Sequence, residues 1–153
     1  MIFASFGNSL QSMARVAKVL DDFARTCEEE VIVQTGNTKY DYRYCHSVDF
    51  MNKETFFRYL KECSVAVLQG GWGSISEASD MGIRIVAVPR KNGTEVHHDQ
   101  SQLVMALEKQ SVCIGCYDEK DLPELIEKAR TFDFKPIKRG SAAKEINEFL
   151  RSF

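Results

Sequence analysis

The stretch at residues 70–78 reads GGWGSISEA and brings together residue types that can bind a phosphate and a sugar diol. Its glycines let the backbone turn sharply and approach a ligand, and Ser74 or Ser76 can cap a helix that starts there. The free N–H groups and positive dipole end of that helix suit a phosphate. Glu77 would follow one turn later, where its carboxylate can accept hydrogen bonds from sugar hydroxyls. The alternative is a tight strand–helix turn with Glu77 as a solvated surface charge.

The stretch does not have the GxGxxG order of a dinucleotide-binding fold. It is not a P-loop either, since no Lys-Ser/Thr pair follows its glycines.

The chain has 153 residues, of which 44% are hydrophobic, and this fits one domain with a substantial core. The net charge of −2 predicts no nucleic-acid partner, and no apolar run is long enough to span a membrane. Cys113 and Cys116 form a CxxC pair that suggests either redox or zinc chemistry, or structural thiols kept reduced in the cytosol; we favour structural thiols.

Short apolar runs alternate with segments of helical periodicity along the chain. The runs predict six strands, at residues 2–6, 31–35, 44–48, 65–68, 85–88 and 112–115. Ser9, Asn52 and Asp121 can each begin a helix, two further helices fit after residues 70 and 100, and a last one starts at Ser141. This alternation predicts an α/β fold, a Rossmann-like parallel sheet with helices on both faces, which binds ligands at the carboxyl ends of its strands.

Five segments carry a resemblance to a known family: FASFGN, VIVQTGNTKY, CSVAVLQGGWGSISEA, MGIRIVAVPR and HHDQ. Together they resemble the C-terminal domain of glycosyltransferase family 28, the nucleotide-sugar-binding half of a GT-B enzyme. That family usually reads His-Ala/Gly-Gly-x-Gly-Ser/Thr-x-x-Glu-Ala in the turn. Against it we read Gly70 in the place of the histidine, Gln69 in that of a preceding serine, Trp72 in that of a small residue, and Asp99-Gln100 in that of a His-Gln pair.

The resemblance implies a UDP-sugar donor and assigns roles to eight residues. The diphosphate would lie on the backbone N–H groups of Gly73 and Ser74 and on the Ser74 hydroxyl, and Glu77 would grip the ribose diol. Gln100 would reach the ribose or the sugar, and Arg90 would either neutralise phosphate charge or remain solvated. The predicted donor-binding residues are Gly7, Asn8, Gly71, Gly73, Ser74, Glu77, Arg90 and Gln100. Neither a metal nor another cofactor is implied.

The chain is most similar to the soluble subunits of split UDP-sugar transferases in exopolysaccharide and lipid-linked oligosaccharide synthesis. Such a subunit is cytoplasmic, inverts the anomeric carbon, and acts on a lipid-linked glycan only with a membrane-anchored partner that supplies the acceptor half. We therefore expect a nucleotide-sugar-binding domain at residues 1–140 and a C-terminal helix at 141–153 that either covers the core or docks this partner. His97, His98, Asp99 and Asp49 have the residue types of a general base, but none is assigned that role.

Two other functions stay open on sequence grounds. One is a nucleotide or nucleotide-sugar binding module without turnover, which the departures at Gly70 and Asp99 favour. The other is a phosphoribohydrolase resembling the lysine-decarboxylase-like enzymes, which also use a GG-x-GT/S-x-x-E turn. The arginine-rich PGG signature of those enzymes is not evident upstream of the turn.

Overall fold

The computed structural model describes residues 1–95, 99–140 and 150–151, and within them shows the predicted parallel sheet. Six strands are hydrogen-bonded in the order β3-β2-β1-β4-β5-β6, and every neighbouring pair is parallel. Their bounds are β1 Ile2–Ser5, β2 Val31–Gln34, β3 His46–Val48, β4 Val65–Gln69, β5 Ile85–Val88 and β6 Ile114–Gly115. The helices are α1 Ala14–Ala24, α2 Lys53–Glu62, α3 Trp72–Asp80, α4 Ser101–Lys109 and α5 Leu122–Ala129.

Alternate residues of each strand enter separate hydrophobic layers, one on each face of the sheet. Along β1, Ile2 and Ala4 pack against α1 and α5, whereas Phe3 packs against the face covered by α2, α3 and α4. All three residues are fully buried, because helices cover both faces of the sheet. The fold class predicted from the sequence is confirmed.

Several predicted boundaries move by one turn or less, and one helix start is wrong. Asn52 caps α2 as expected, since its side chain accepts a hydrogen bond of 2.8 Å from the backbone N–H of Thr55. Ser9 does not cap α1, which begins only at Ala14 after an irregular segment. Leu10, placed in that helix by periodicity, is 82% exposed. The 141–153 helix lies almost entirely outside the described residues.

An irregular connection, rather than a helix, joins β2 to β3, and a buried carboxylate on α1 holds it in place. Asp21 is 2% exposed and accepts hydrogen bonds of 2.9–3.2 Å from the backbone N–H groups of Arg43, Tyr44 and Cys45. Burial by itself would raise the pKa of Asp21, but these backbone hydrogen bonds outweigh it and lower the pKa below its usual value. The chain can therefore reach the sheet edge without a crossover helix.

No helix in the described part of the chain is both long enough and apolar enough to cross a bilayer.

We predict that Asp21→Ala lowers the free energy of unfolding by about 2–3 kcal/mol, because it removes the shared acceptor of three partly buried backbone N–H groups. Since the folded-state pKa is lowered, this stabilisation is complete above the unfolded pKa and is lost as pH falls through the folded pKa. Urea unfolding at pH 7 and at acidic pH measures both effects. The neighbouring Asp22→Ala, whose side chain is 62% exposed, is the control and should change stability little. Equal losses in the two variants would contradict this account.

Candidate functional site

The carboxyl ends of β1, β2 and β4 border a cleft of about 400 Å³. Strand β1 pairs with β2 on one side and with β4 on the other. The connections that follow β1 and β4 therefore run to opposite faces of the sheet and leave a crevice between them. The cleft is lined by Ser5, Gly7, Asn8, Gln34, Met51, Lys53, Phe56, Phe57, Ser74 and Glu77. Four of the eight residues predicted from the sequence thus meet in one cleft: Gly7, Asn8, Ser74 and Glu77.

A larger depression of about 700 Å³ runs along the outer side of α2. Its lining comes from one helix alone and carries both charges, including Glu54, Arg58 and Lys61. It contains none of the predicted site residues. We therefore place the candidate site at the strand ends, where several loops converge.

The helix α3 begins at Trp72, earlier than a cap at Ser74 or Ser76 would require. Gly71 occupies the N-cap position, so neither Ser74 nor Ser76 caps the helix, and the Ser76 hydroxyl instead accepts a hydrogen bond of 2.8 Å from Arg139. Gly73 and Ser74 are the second and third residues of α3, whose N–H groups have no acceptor within a helix. Ser74 and Glu77 are three residues apart and share one helix face beside the cleft.

The backbone N–H of Gly71 is already used inside the turn, where it donates to the carbonyl of Gln69 at 2.8 Å. What Gly71 supplies is space. A Cβ atom built on it would lie 2.2 Å from Nε2 of Gln69, so only glycine leaves room for that side chain. Gly71, predicted from the sequence as a donor-binding residue, therefore shapes the turn in this geometry, and the N–H groups of Gly73 and Ser74 are left for a phosphate.

Gln100 lies against the glycine turn, as the adjacency of β4 and β5 predicts. Its Oε1 accepts the backbone N–H of Arg90 at 3.0 Å, and its Nε2 donates to Oε1 of Gln69 at 2.9 Å. Both ends of the amide are thus bound to protein. Here Gln100 joins the β5 end to the β4 end, and direct contact with a ligand through the same groups would require these bonds to open.

The Arg90 guanidinium is 3% exposed and donates to main-chain oxygens of the β1–α1 segment. Nη1 donates to the carbonyl of Gln11 at 2.7 Å, and Nη2 donates to the carbonyl of Phe6. Burial lowers the pKa of Arg90, with the nearby charge of Glu95 acting in the opposite direction. The side chain is neither solvated nor presented to the cleft, so in this geometry Arg90 holds the loops that form the site.

The assignment of Gly70 to the family's histidine position is wrong. Counted back from Gly73-Ser74, the pattern His-Ala/Gly-Gly-x-Gly-Ser puts the histidine at Gln69 and a small residue at position 70. The structure explains the small residue, because a Cβ on Gly70 would lie 2.9 Å from Cα of Pro89 and 3.0 Å from Cγ2 of Val104. The departure that matters for the site is therefore Gln69.

Sequence reasoning missed the cleft residues that come from β2 and the start of α2. Gln34 ends β2 and is 7% exposed; its Nε2 donates to Ser5 Oγ at 3.2 Å and its Oε1 accepts the Met51 N–H at 3.1 Å. Lys53, with its ammonium 5.4 Å from the ring centroid of Phe57, adds one positive charge to the cleft. A signal for Gln34 and Gln69 was present, since each is a polar residue that closes an apolar strand at the ligand-binding edge.

The candidate general bases stay unassigned. His97 and His98 lie outside the described residues. Asp99 accepts hydrogen bonds from the N–H and hydroxyl of Ser101, at 2.9 and 2.6 Å, and Asp49 accepts one from the Thr35 hydroxyl at 3.3 Å. Both carboxylates thus have local structural partners, which gives no reason to prefer either as a base.

The CxxC cysteines lie on opposite faces of the sheet. Cys113 packs in the layer under α4 and Cys116 in the layer under α1 and α5. Both are buried, and burial raises the pKa of each thiol to about 12, so neither is a ready thiolate. This arrangement agrees with structural thiols. In the described part of the chain, no cluster of three or more His, Cys, Asp or Glu side chains is arranged to hold a metal ion.

Comparison with known proteins agrees with the fold. The model of the glycosyltransferase family 28 C-terminal domain matches residues 6–152. A glycotransferase of kitacinnamycin matches 99% of the chain with a TM-score of 0.61 at 13% identity, and MurG of Acinetobacter baumannii matches 99% with a TM-score of 0.56 at 12% identity. These matches cover 38% and 52% of the two larger chains. A search of curated proteins gave no sequence match.

The family match covers nearly the whole chain, and the six parallel strands, the crevice between β1 and β4 and the Gly-Ser-x-x-Glu turn all agree with it. The chain belongs to the glycosyltransferase family 28 C-terminal domain family.

Proposed function

We propose that this chain binds the UDP-sugar donor of an inverting glycosyltransferase in the cleft between β1 and α3. The diphosphate lies at the start of α3, where it accepts hydrogen bonds from the N–H groups of Gly73 and Ser74 and from the Ser74 hydroxyl. Gly7 and Asn8 close the opposite side of the phosphate site. Glu77 accepts hydrogen bonds from the ribose diol, and the apolar side chains at the start of α2 pack against the base.

One observation carries this proposal, namely the empty space at Gly73. A glycine in the first turns of a helix costs up to about 1 kcal/mol relative to alanine, so its presence calls for a reason. Among the described residues, no atom outside the helix's own backbone and the neighbouring residues lies within 4 Å of a Cβ atom built at this position, and its φ is not in the left-handed range. None of these residues therefore requires glycine here, whereas a phosphate resting on the backbone would.

Gly73→Ala should leave the fold intact, with an unchanged or slightly higher melting temperature, because the methyl group clashes with none of the described residues. It should weaken UDP binding by ~10-fold, because the same methyl group occupies the phosphate site. A thermal melt and calorimetry with UDP measure the two effects. Gly82→Ala serves as the converse control, since Gly82 has φ +70° and lies at the far end of α3. That variant should lose stability and keep its UDP affinity. Normal UDP binding by Gly73→Ala would remove the main support for the phosphate site.

Glu77→Ala should weaken UDP binding by about 1–3 kcal/mol, the range of a hydrogen bond to a charged group. The carboxylate is exposed on the α3 face that borders the cleft, and no protein hydrogen bond holds it in the described part of the chain. Calorimetry with UDP and 2′-deoxy-UDP separates the ribose role from a general charge effect, because the variant should lose the preference for UDP. The exposed Glu124→Ala on α5 is the control. A retained preference for UDP in Glu77→Ala would exclude the ribose contact.

The acceptor half of the enzyme must come from outside these residues, because the matched family is the C-terminal domain alone. We propose that a membrane-anchored partner subunit supplies it, together with the general base, and that the acceptor is a lipid-linked glycan. The resemblance to split UDP-sugar transferases supports this arrangement. In it the chain lies at the cytoplasmic side of the membrane through its partner. If the chain binds UDP yet gives no transfer with an acceptor half, it is a nucleotide-binding module without turnover.

Partner docking is assigned in this proposal to the apolar stripe Ala142, Ile146, Phe149, Leu150 and Phe153. A chain ending at Gly140 keeps the contacts that tie the preceding segment to α3, including Ile137 N–H to Ser79 Oγ at 3.1 Å and Arg139 to Asp80 at 2.7 Å. It should therefore stay folded and bind UDP, but lose the partner and transfer activity. A thermal melt and a pull-down with the partner measure this. Unfolding would show that the segment is part of the core, and normal pairing would place the interface elsewhere.

A further inference from the structure

We infer that Arg139 is a positioning residue for the donor site, because its guanidinium stabilises the first turn of α3 from outside the cleft. This turn carries the N–H groups of Gly73 and Ser74, and a fixed turn binds a diphosphate without a cost of ordering. The inference rests on the proposed function, since it takes the start of α3 to be the diphosphate site. Arg139 itself follows α5 in the chain and is not one of the residues that line the cleft.

The first turn of α3 has few of the local features that usually stabilise the start of a helix. Gly71 occupies the N-cap position, and among residues 1–95 and 99–140 no side chain caps this helix. The first four residues of the helix, WGSI, include no Asp or Glu to interact with the helix dipole. Gly73 also has a low helix propensity. The first turn is therefore expected to fray unless a distant part of the chain holds it.

A segment after α5 runs along the outer side of α3, and we call residues 135–139 the strap. The backbone N–H of Ile137 donates to Ser79 Oγ at 3.1 Å, near the C-terminal end of the helix. Two residues later, Arg139 donates to Ser76 Oγ at 2.8 Å, one turn closer to the N-terminus. The Ile137 side chain packs against the hydrophobic layer on this face of the sheet, which anchors the strap. The strap therefore brings Arg139 beside the start of α3.

Arg139 connects the first residue of α3 to its last. Its Nη2 donates to the Asp80 carboxylate oxygens at 2.7 and 2.8 Å, and its guanidinium carbon lies 6.0 Å from the ring centroid of Trp72. Trp72, Ser76 and Asp80 are four residues apart, so they share one face of the helix, and a planar guanidinium can stack on the first while it donates to the others. The Arg139 and Asp80 side chains are 50% and 58% exposed, so the contact contributes little to the stability of the whole domain. We expect its effect to be local to the first turn.

Arg139→Gln tests this role, because it removes the charge and the planar fork of the side chain. UDP affinity should fall about 3- to 10-fold, the combined range of an exposed cation–π contact and a surface ion pair. Hydrogen exchange should be faster at the amides of Ser76 and Glu77, which in a regular helix donate to the carbonyls of Trp72 and Gly73. Calorimetry and NMR measure the two effects. Lys138→Gln removes the neighbouring exposed positive charge and should change neither.

Trp72→Pro separates positioning from direct attraction between Arg139 and the diphosphate. Proline is favoured at the first position of a helix, and Gly71 before it has φ −87° and ψ 144°, which suit a residue that precedes proline. The ring then fixes the first turn and leaves the N–H groups of Gly73 and Ser74 in place. We expect Trp72→Pro to bind UDP about as tightly as the wild-type chain. In this background Arg139→Gln should cause no further loss, whereas direct attraction would give the same loss in both backgrounds.

Trp72→Ala removes the same contact from the side of the helix. Its loss of UDP affinity should therefore not add to that of Arg139→Gln in the double variant.

Unchanged UDP affinity in Arg139→Gln overturns the inference and leaves the proposed function standing. Weaker binding with unchanged exchange at Ser76 and Glu77 also overturns it, because the first turn is then not held by Arg139. An equal loss in the Trp72→Pro background, additive losses with Trp72→Ala, or a lower melting temperature of Arg139→Gln would each replace the positioning role by direct attraction, independent effects or a general structural defect. If the wild-type chain does not bind UDP, the proposed function fails, and the inference fails with it.

Discussion

The carboxyl edge of the sheet, where the candidate site lies, depends on one buried arginine. Arg90 leaves the end of β5 and reaches the carbonyls of Phe6 and Gln11 in the segment after β1, although β4 lies between these two strands. Hydrogen bonds that involve a charged group contribute about 1.5–3 kcal/mol each, and a buried arginine without them would be strongly unfavourable. The hydrogen bonds of Arg90 therefore fix the positions of the loops after β1 and β5 on either side of the glycine turn that follows β4. Gly70 has no room for a side chain because this arrangement brings Pro89 against it.

Neutral amides complete the same edge. Gln34 joins the β1 end to Met51 near the start of α2, and the Gln69–Gln100 pair joins the β4 end to the β5 end. Each amide satisfies main-chain or side-chain groups that the close packing of loops would otherwise leave unpaired. Amides do this without adding charge, so the potential in the cleft is set by the α3 N-terminus, Lys53 and Glu77. Glu77 is the one carboxylate among the described residues that line the cleft. The other lining side chains therefore do not repel a diphosphate.

The ion pairs near Arg90 involve Arg15 on α1 and lie outside the cleft. Arg15 binds Glu95 at 2.8 Å and Glu119 at 3.2 Å, and also donates to the carbonyl of Pro89 at 3.1 Å. Burial would raise the pKa of Glu95, but the hydrogen bond from Arg15 leads the effects that lower it. Glu95 thus stays charged at neutral pH and anchors the segment after Pro89. This segment, which the sequence marks as a long polar loop, is held from the α1 side as far as residue 95.

The sequence determined the strands, most helices and the chemical character of the turn, because these depend on local patterns. Apolar runs such as Val65–Leu68 predict buried strands, and GGWGSISEA predicts the start of a helix with exposed N–H groups and a carboxylate one turn later. Asn52 was identified as a cap because capping is a contact within four residues. Ser9 was not a cap, because the segment after β1 is held by contacts with Arg90 and Asn37, which are distant in sequence.

Only the tertiary structure decided how the site residues divide their tasks. Arg90 and Gln100 have the types of ligand-binding residues, but their partners lie on other strands, and no local pattern reveals that these partners occupy their hydrogen-bonding groups. Gln69 ends β4, and its amide oxygen is bound by Gln100, a contact that joins two strand ends and that no local pattern reveals. The sequence by itself therefore specified a glycine turn that starts a helix in a parallel α/β fold. Which side chains line the cleft was decided by contacts between strand ends far apart in the chain.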